Sequence, residues 1–376
     1  MSASAEPQQA HAEVRQNVRR LMEGFGTDYW AERDRAGEFP DAFFAAVAEA
    51  GYFGTLLPEA HGGTDAGPGV ASVVVEEINR AGGDATAINA QMLIPGTLLR
   101  DGSDAQRARY LSDVASGACR FLTVAATEPD SGADMSSLQS SAKRDGDGWV
   151  LDANKVFISM AEHTRVMLVL VTTDEGPTLF LLDMDEHRGA VELRPIEMVT
   201  NRMTTMLFID SLRVGDDARL GPVGGGLKCL MKGFAVRRAM AAAECIGNAR
   251  FMLDRSLDHA KQRVTYGRPI GQNQGVQYPL AQAYARVEAA DLMRWDALTR
   301  AEAGQPDAAA RAAMAKVLGS EACWETARAA LTTFGGWGLT TEYQVERKLR
   351  ESMVYVFNNM LLSYLSHNVL GLPKAF

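Results

Sequence analysis

The chain has 376 residues, enough to bury a large core and to divide into two or three packed parts. Its 47% hydrophobic and 23% charged residues match globular averages and exclude extensive disorder beyond a polar first dozen residues, which are expected to fray. A formal net charge of -9, with no local run of Lys or Arg to offset it, argues against a nucleic-acid partner.

Read in chain order, the opening "MSASAEPQQAHAEVRQ" lacks the basic and apolar regions of a signal peptide, and no apolar run reaches about 18 residues. No membrane insertion and a cytoplasmic location are therefore expected. Apolar positions at three-to-four spacing in "DAFFAAVAEAGYFG" and "VASVVVEEINRAG" predict a helical first domain over 1–119. The texture then changes to short β-rich runs, "RFLTVAAT", "WVLDANKVFIS", "RVMLVLVTT", "TLFLLDMD" and "TTMLFIDSLRV", separated by turns such as "DGDG" and "DEGP". These predict a middle antiparallel β-domain over 120–222. After "GPVGGG", Ala-, Arg- and Met-rich stretches punctuated by "YGRPIG", "AGQPD" and "FGGWG" predict four or five long helices over 223–376, packed as a bundle and able to build a subunit interface. The fold class is α+β in the order helical, β, helical. Cys119, Cys229, Cys245 and Cys323 are scattered without a C-x-x-C pair, and the six histidines show no ligand spacing beside them, so buried thiols and no metal site are expected.

There is no G-x-G-x-x-G after a strand and no Walker A sequence. Three other stretches suggest chemistry. In "TEPDSGADMSSL" a Pro/Gly turn at a strand end presents backbone N–H groups that can receive a phosphate or a flavin edge, although taken alone it reads as an ordinary β-turn. In "NKVFIS" strict alternation would put Lys155, Phe157 and Ser159 on one strand face, where an aromatic ring and a hydroxyl can meet a flat ligand. In "KQRVTYGRPIGQNQGVQYPLA" a basic helix end and a glycine turn precede a new helix, and Arg263 with Thr265 can bind a pyrophosphate through the planar guanidinium.

In this order and spacing the three stretches resemble the acyl-CoA dehydrogenase family, and the resemblance covers nearly the whole chain. "FPDAFFAAVAEAGYFGTLLPEAHGG" looks like the family's opening helices, "TEPDSGAD" like its T-E-P-x-A-G-S-D turn, and "DGWVLDANKVFIS" like its G-x-K-x-[WF]-I-T hairpin. "AKQRVTYGRPIGQNQGVQYPLA" and "TTFGGWGLTTEYQVERKLRE" are similar to its R-x-x-F-G and G-G-x-G segments. The resemblance implies FAD, a homotetramer and an acyl thioester substrate carried on coenzyme A or an acyl carrier protein, with a flavoprotein or oxygen as electron acceptor. It implies that Thr127, Gly132, Phe157 and Ser159 line the flavin. From a neighbouring subunit Arg263, Thr265, Tyr266 and Gln274 would hold the pyrophosphate and adenosine side, with Thr332, Gly335 and Gly336 closing over the same dinucleotide. Ala133 stands where the family has a phosphate-facing serine.

The family reaction needs a base for the proton next to the thioester carbonyl, usually a carboxylate in a dry pocket. Alignment of "VERKLRESMVYVFNN" puts Asn359 at the glutamate position, followed by Met360 and Leu361 in place of glycine and threonine. The alternative position used by some branches, just before the family-like Arg238, is Arg237. Neither is a carboxylate. Glu244 lies seven residues after Arg237 on the same helical face, about 10 Å along the axis, and is the candidate for a relocated base. Arg237 is the candidate for meeting a polar or carboxylate group on a tailored acyl chain, with a surface salt bridge as its plain alternative. A flavin-dependent oxygenase or oxidase, and a base-lacking subunit of a hetero-oligomer, stay open beside dehydrogenation. His367 and Asn368 read as a structural cap.

Overall fold

The computed structural model describes residues 5–132, 134–135 and 137–374. In chain order its helices are α1 (Ala5–Glu23), α2 (Thr27–Ala36), α3 (Asp41–Glu49), α4 (Gly67–Arg80), α5 (Thr86–Leu93), α6 (Pro95–Asp101), α7 (Asp104–Ser116), α8 (Met184–His187), α9 (Gly226–Met231), α10 (Phe234–Gln262), α11 (Gln274–Glu302), α12 (Ala308–Phe334), α13 (Val345–Met353) and α14 (Asn359–Tyr364). Its strands are β1 (Thr123–Ala125), β2 (Ser141–Asp145), β3 (Gly148–Ser159), β4 (Val166–Thr173), β5 (Gly176–Asp183), β6 (Val191–Pro195), β7 (Thr204–Gly215), β8 (Arg219–Leu220), β9 (Val264–Thr265) and β10 (Arg268–Pro269). The chain packs as two units. The residues up to Asp34, Ala66–Thr86 and those from Ala235 onward form a helical unit, while Arg35–Asp65 and Ala87–Phe234 form a unit built on the sheet. The N-terminal helical segment thus contributes to both.

In the second unit the strands run in the order β6-β7-β3-β2-β4-β5-β8, with β1 also against β4. The sheet is mixed, a correction to the purely antiparallel expectation. β1 pairs β4 in parallel, Thr123 opposite Met167 and Ala125 opposite Val169, and β2 meets β4 in parallel at Ser141 and Thr172. Parallel neighbours need a long crossover, and the β2–β3 hairpin supplies it. The uniform apolar run of β4 has its reason in the same arrangement. Leu168 and Leu170 pack with Leu111 and Val114 of α7, while Met167, Val169 and Val171 pack with Leu151 and Leu207, so both faces are covered. α7 starts at a capping box in which the Ser103 hydroxyl accepts from Gln106 N–H and the Gln106 side chain accepts from Ser103 N–H.

In the helical unit α10, α11 and α12 run for 29, 29 and 27 residues. There are three long helices rather than four or five, because Gly335 leaves α12 at φ 59, a conformation open to glycine, and the rest of the chain folds into the short α13 and α14. α4 and α10 approach closely at Gly247, where a Cβ would lie 2.4 Å from the Glu76 carbonyl oxygen. The buried Glu76 side chain accepts from Arg15 at 2.9 Å and Arg294 at 2.8 Å and pairs with Arg250. Burial alone would raise its pKa, but the three guanidinium groups hold it well below the usual carboxylate range. Arg15 and Arg19, which also bind Glu77, tie α1 down beyond the first dozen residues, and the helix itself begins at Ala5. α13 is anchored through Lys348, fully buried, which donates to Asn248 Oδ1 at 2.7 Å, Glu351 Oε2 at 2.8 Å and the Gly83 carbonyl. All four cysteines are buried and unpaired with one another. No helix among the described residues is long and apolar enough to cross a membrane.

Candidate active site

The expected site residues fall in both units. In the sheet unit the turn after β1 is fixed to β3. The Thr127 carbonyl accepts from Val156 N–H at 3.0 Å. One residue on, the buried Glu128 carboxylate accepts from Gln139 N–H at 2.6 Å, Ser140 N–H at 3.0 Å and Lys155 Nζ at 2.7 Å. Burial would raise the Glu128 carboxyl, and these donors, Lys155 foremost, outweigh it and hold it below the ordinary carboxylate range.

This corrects the one-face reading of Lys155, Phe157 and Ser159. Lys155 pairs with Leu207 and Ile158 with Thr205, three steps on β3 against two on β7, so the strand carries a bulge. Lys155 turns fully inward to Glu128, Phe157 takes φ 57 with 59% of its surface exposed, and Ser159 is half-buried. The bulge delivers an aromatic ring to the surface, one residue after the Val156 N–H that bonds the Thr127 carbonyl. Gly132 is exposed, with no atom within 4 Å of a Cβ built on it. Ala133 lies outside the described residues.

In the helical unit, α10 ends at Gln262 and the chain turns through the β9–β10 hairpin. Tyr266 and Gly267 have φ of 52 and 74, the two positive values of a type I′ turn, and Tyr266 is wholly exposed. This turn returns the chain so that Arg263 and Thr265 stand opposite the end of α12. Together with Thr332, Gly335 and Gly336 they line a groove of about 560 Å³, joined by His259, Phe334, Trp337 and Thr340. The His259 ring stacks on Phe334 at 4.2 Å and its pKa is lowered, first by burial and then by Arg263. Among the described residues the Arg263 guanidinium has no acceptor. A Cβ added at Gly335 or Gly336 would project into open space. A free guanidinium, hydroxyls and bare glycine backbone suit the phosphates of a dinucleotide, so the residues present fit that half of FAD. Tyr266 and the exposed Gln274, at the start of α11, lie outside the groove's lining.

The expected base position is in the same unit. Asn359 opens α14 and is exposed, whereas its neighbour Asn358 is buried. Asn358 Nδ2 donates to Ser320 Oγ at 2.8 Å and its Oδ1 accepts from Lys316 Nζ at 2.8 Å. Lys316 also donates to the Tyr355 carbonyl at 2.5 Å. Glu244, on α10, is buried. It lies near enough to favour the Lys316 ammonium, whose pKa burial nevertheless lowers. Glu244 is thus within electrostatic reach of a partly buried cation. Arg238 lies over the Tyr364 ring at 4.9 Å with its pKa lowered by burial, and Arg237 is half-buried. Met360 is exposed, and Leu361 packs on Ala313 and Val317 of α12. His367 Nδ1 lies 3.1 Å from the Leu372 carbonyl and Asn368 Nδ2 donates to that of Tyr364, both local contacts.

Sequence reasoning missed Glu128 as a positioning group, and also His259, Trp337 and Lys316. The visible signal for Lys316 was a lone lysine in the Ala-rich "AAMAKVLGSEAC", a pattern that a solvated helix face also produces.

Models of the acyl-CoA dehydrogenase N-terminal, middle and C-terminal domains match residues 8–118, 123–211 and 224–357. An acyl-CoA dehydrogenase of Mycobacterium tuberculosis is 32% identical over 375 residues, covering 96% of each chain. A glutaryl-CoA dehydrogenase of Desulfococcus multivorans is 31% identical over 390 residues, covering 99% of this chain and 98% of its own. Among solved structures, a glutaryl-coenzyme A dehydrogenase in complex with glutaryl-CoA superposes with a TM-score of 0.89 at 28% identity, over 100% of this chain and 98% of that one. A prolyl acyl carrier protein oxidase, at 24% identity and a TM-score of 0.89 over 99% and 100% of the two chains, shares the fold.

Proposed function

The chain belongs to the acyl-CoA dehydrogenase family, and from that premise we propose that it is an FAD-dependent oxidoreductase acting on the α and β carbons of an acyl thioester. The observation that carries the reading is the groove in which Arg263, Thr265, Thr332, Gly335 and Gly336, up to 73 positions apart in the sequence numbering, come together around open space. Bound FAD supplies the acceptor for the β-hydride. The chain's own part is to hold it and to manage the proton. Thr127, Phe157 and Ser159 would present a hydroxyl-and-aromatic surface to the ring system, while Arg263 of a neighbouring subunit would neutralise phosphate charge and that subunit's two glycines would admit close backbone approach.

The α-proton needs a base, and an amide at position 359 cannot accept it near neutral pH. Glu244 is proposed as the relocated base, Arg238 as a group at the pocket mouth, and Arg237 as the contact for a polar end of a tailored acyl chain in specialised metabolism. The thioester carrier is coenzyme A or an acyl carrier protein, the electron acceptor a flavoprotein or oxygen, the assembly a homotetramer and the location cytoplasmic. One observation favours a second reading, a base-lacking subunit or an oxidase on the same fold: Glu244 is buried and within electrostatic reach of the Lys316 cation.

The testing experiment is flavin content and anaerobic bleaching. Purified protein is expected to be yellow, Arg263→Ala largely colourless, and the yellow protein to bleach with an acyl thioester. Full flavin with unchanged affinity in Arg263→Ala would reject the assignment of the groove.

A further inference from the structure

The chain is acidic, with 38 Lys and Arg against 47 Asp and Glu, yet one exposed face of the sheet unit is cationic. α9 is pressed onto β5: a Cβ at Gly226 would stand 2.6 Å from Leu179 N, and Cys229 and Leu230 are buried in the core. The opposite face of α9 is left to solvent. It carries Lys228, Met231 and Lys232, at the i, i+3 and i+4 spacing that groups side chains on a helix, and all three are exposed. Lys232 pairs with Asp101, whose side chain is only 5% exposed, so the acid is turned inward and the cation outward. Arg100, at the end of α6, extends the same face. Its Nη1 would lie 3.1 Å from a Cβ at Gly96 and its Nη2 3.0 Å from one at Gly233, the residue after Lys232. Burial against this backbone lowers the Arg100 pKa, and among the described residues neither Arg100 nor Lys228 has an acceptor. The exposed acids Asp174 and Glu175 belong to the other end of α9, in the β4–β5 turn that packs on Gly224.

Cations spread around one exposed thioether suit a protein surface better than a small anion. The methionine adapts to apolar contact, and the charges steer and orient an acidic partner. In the chain this face comes just before Arg237 and Arg238, which follow Lys232 by five and six positions. We propose that the outer face of α9, together with Arg100, docks the acidic helical surface of an acyl carrier protein, so that the thioester arrives on a protein carrier. The inference rests on the reading of the chain as an acyl thioester oxidoreductase and decides between the two carriers that reading leaves open.

The test uses the full-length protein as purified and the holo form of an acidic acyl carrier protein, with affinity read by calorimetry at low and at physiological salt. The natural protein is expected to bind the carrier, and more weakly as salt screens the charges. Lys228→Glu combined with Met231→Asp is expected to weaken the carrier about tenfold, and Arg100→Gln alone about threefold. Flavin content, melting temperature and affinity for free coenzyme A should stay as in the natural protein. Lys143→Glu, the same reversal at an exposed position on β2, should leave carrier affinity within about twofold. No carrier binding by the natural protein overturns the proposal, as does unchanged binding in both variants, an equal loss in Lys143→Glu, or binding indifferent to salt. If the double variant keeps the carrier and instead loses electron transfer to an acceptor flavoprotein, the face belongs to the acceptor and the proposal falls. Bleaching of the flavin by an acyl-coenzyme A and by the acylated carrier is measured alongside. Bleaching by neither counts against the oxidoreductase reading, whereas carrier affinity in the variants decides the docking face.

Discussion

Substituting Lys316 by methionine separates the geometry around position 359 from its chemistry. The ammonium bonds the Tyr355 carbonyl at 2.5 Å and Asn358 Oδ1 at 2.8 Å, and so grips both ends of the four residues that precede Asn359. Methionine keeps the length and the apolar stem and removes both donors. Each bond from a charged donor is worth about 1.5–3 kcal/mol, and each buried acceptor left unpaired costs about 1–3 kcal/mol. Against this stands relief from holding a partly buried ammonium, the same desolvation that lowers its pKa. The net expectation is a loss of about 2 kcal/mol, and it is local. Asn358 keeps its bond to Ser320, so α12 itself is not undone. Hydrogen exchange read peptide by peptide should show the amides of 355–361 opening about thirtyfold more often, with α10 and α11 unchanged, and Lys316→Arg should restore much of the protection. Unchanged exchange over 355–361 in Lys316→Met, with denaturant stability within about 0.5 kcal/mol of the parent, would refute the clamp.

Three further outcomes can be measured. In anaerobic stopped-flow, Glu244→Gln is expected to abolish flavin reduction by an acyl thioester while Asn359→Glu raises α-proton exchange with a simple acyl-CoA; loss in neither variant points to the oxidase or partner-subunit reading. Gly335→Ala places a Cβ at φ 59 and ψ -136 and in the open groove, so flavin content should fall, with about 1–3 kcal/mol lost in stability by denaturant titration. Glu76→Gln leaves Arg294 and its companions without their carboxylate and should cost about 3–5 kcal/mol at neutral pH. Because the folded-state pKa of Glu76 is depressed, its contribution is present above the unfolded carboxylate value of about 4.3 and fades as pH falls, so the variant's stability curve should be flatter in acid than the parent's.

Much of the local structure was legible because it is set by residues adjacent in the chain. The run of β-rich segments between two helical stretches, the positive-φ turn at "TYGR" and the glycine break after α12 all follow from backbone preference and short-range periodicity. The amide at position 359 is equally a fact of the sequence, and no folding alters what it can protonate. What the chain order could not decide is which side of a strand or helix each polar residue meets. Alternation put Lys155 beside Phe157, but a single extra residue in β3 reversed the side chains beyond it, and the pairing partner that exposes that bulge, β7, lies about 50 positions away. Glu244 was legible as a carboxylate on the right helical face, yet its nearness to Lys316 depends on how α10 packs with α12. Asn358 and Asn359 are chemically identical neighbours, and only the partners waiting on α12, the Lys316 donor and the Ser320 acceptor, choose which one turns inward. The groove at Arg263 exists for the same reason: its two walls are separated in sequence by the whole of α11, and long-range packing alone brings them face to face.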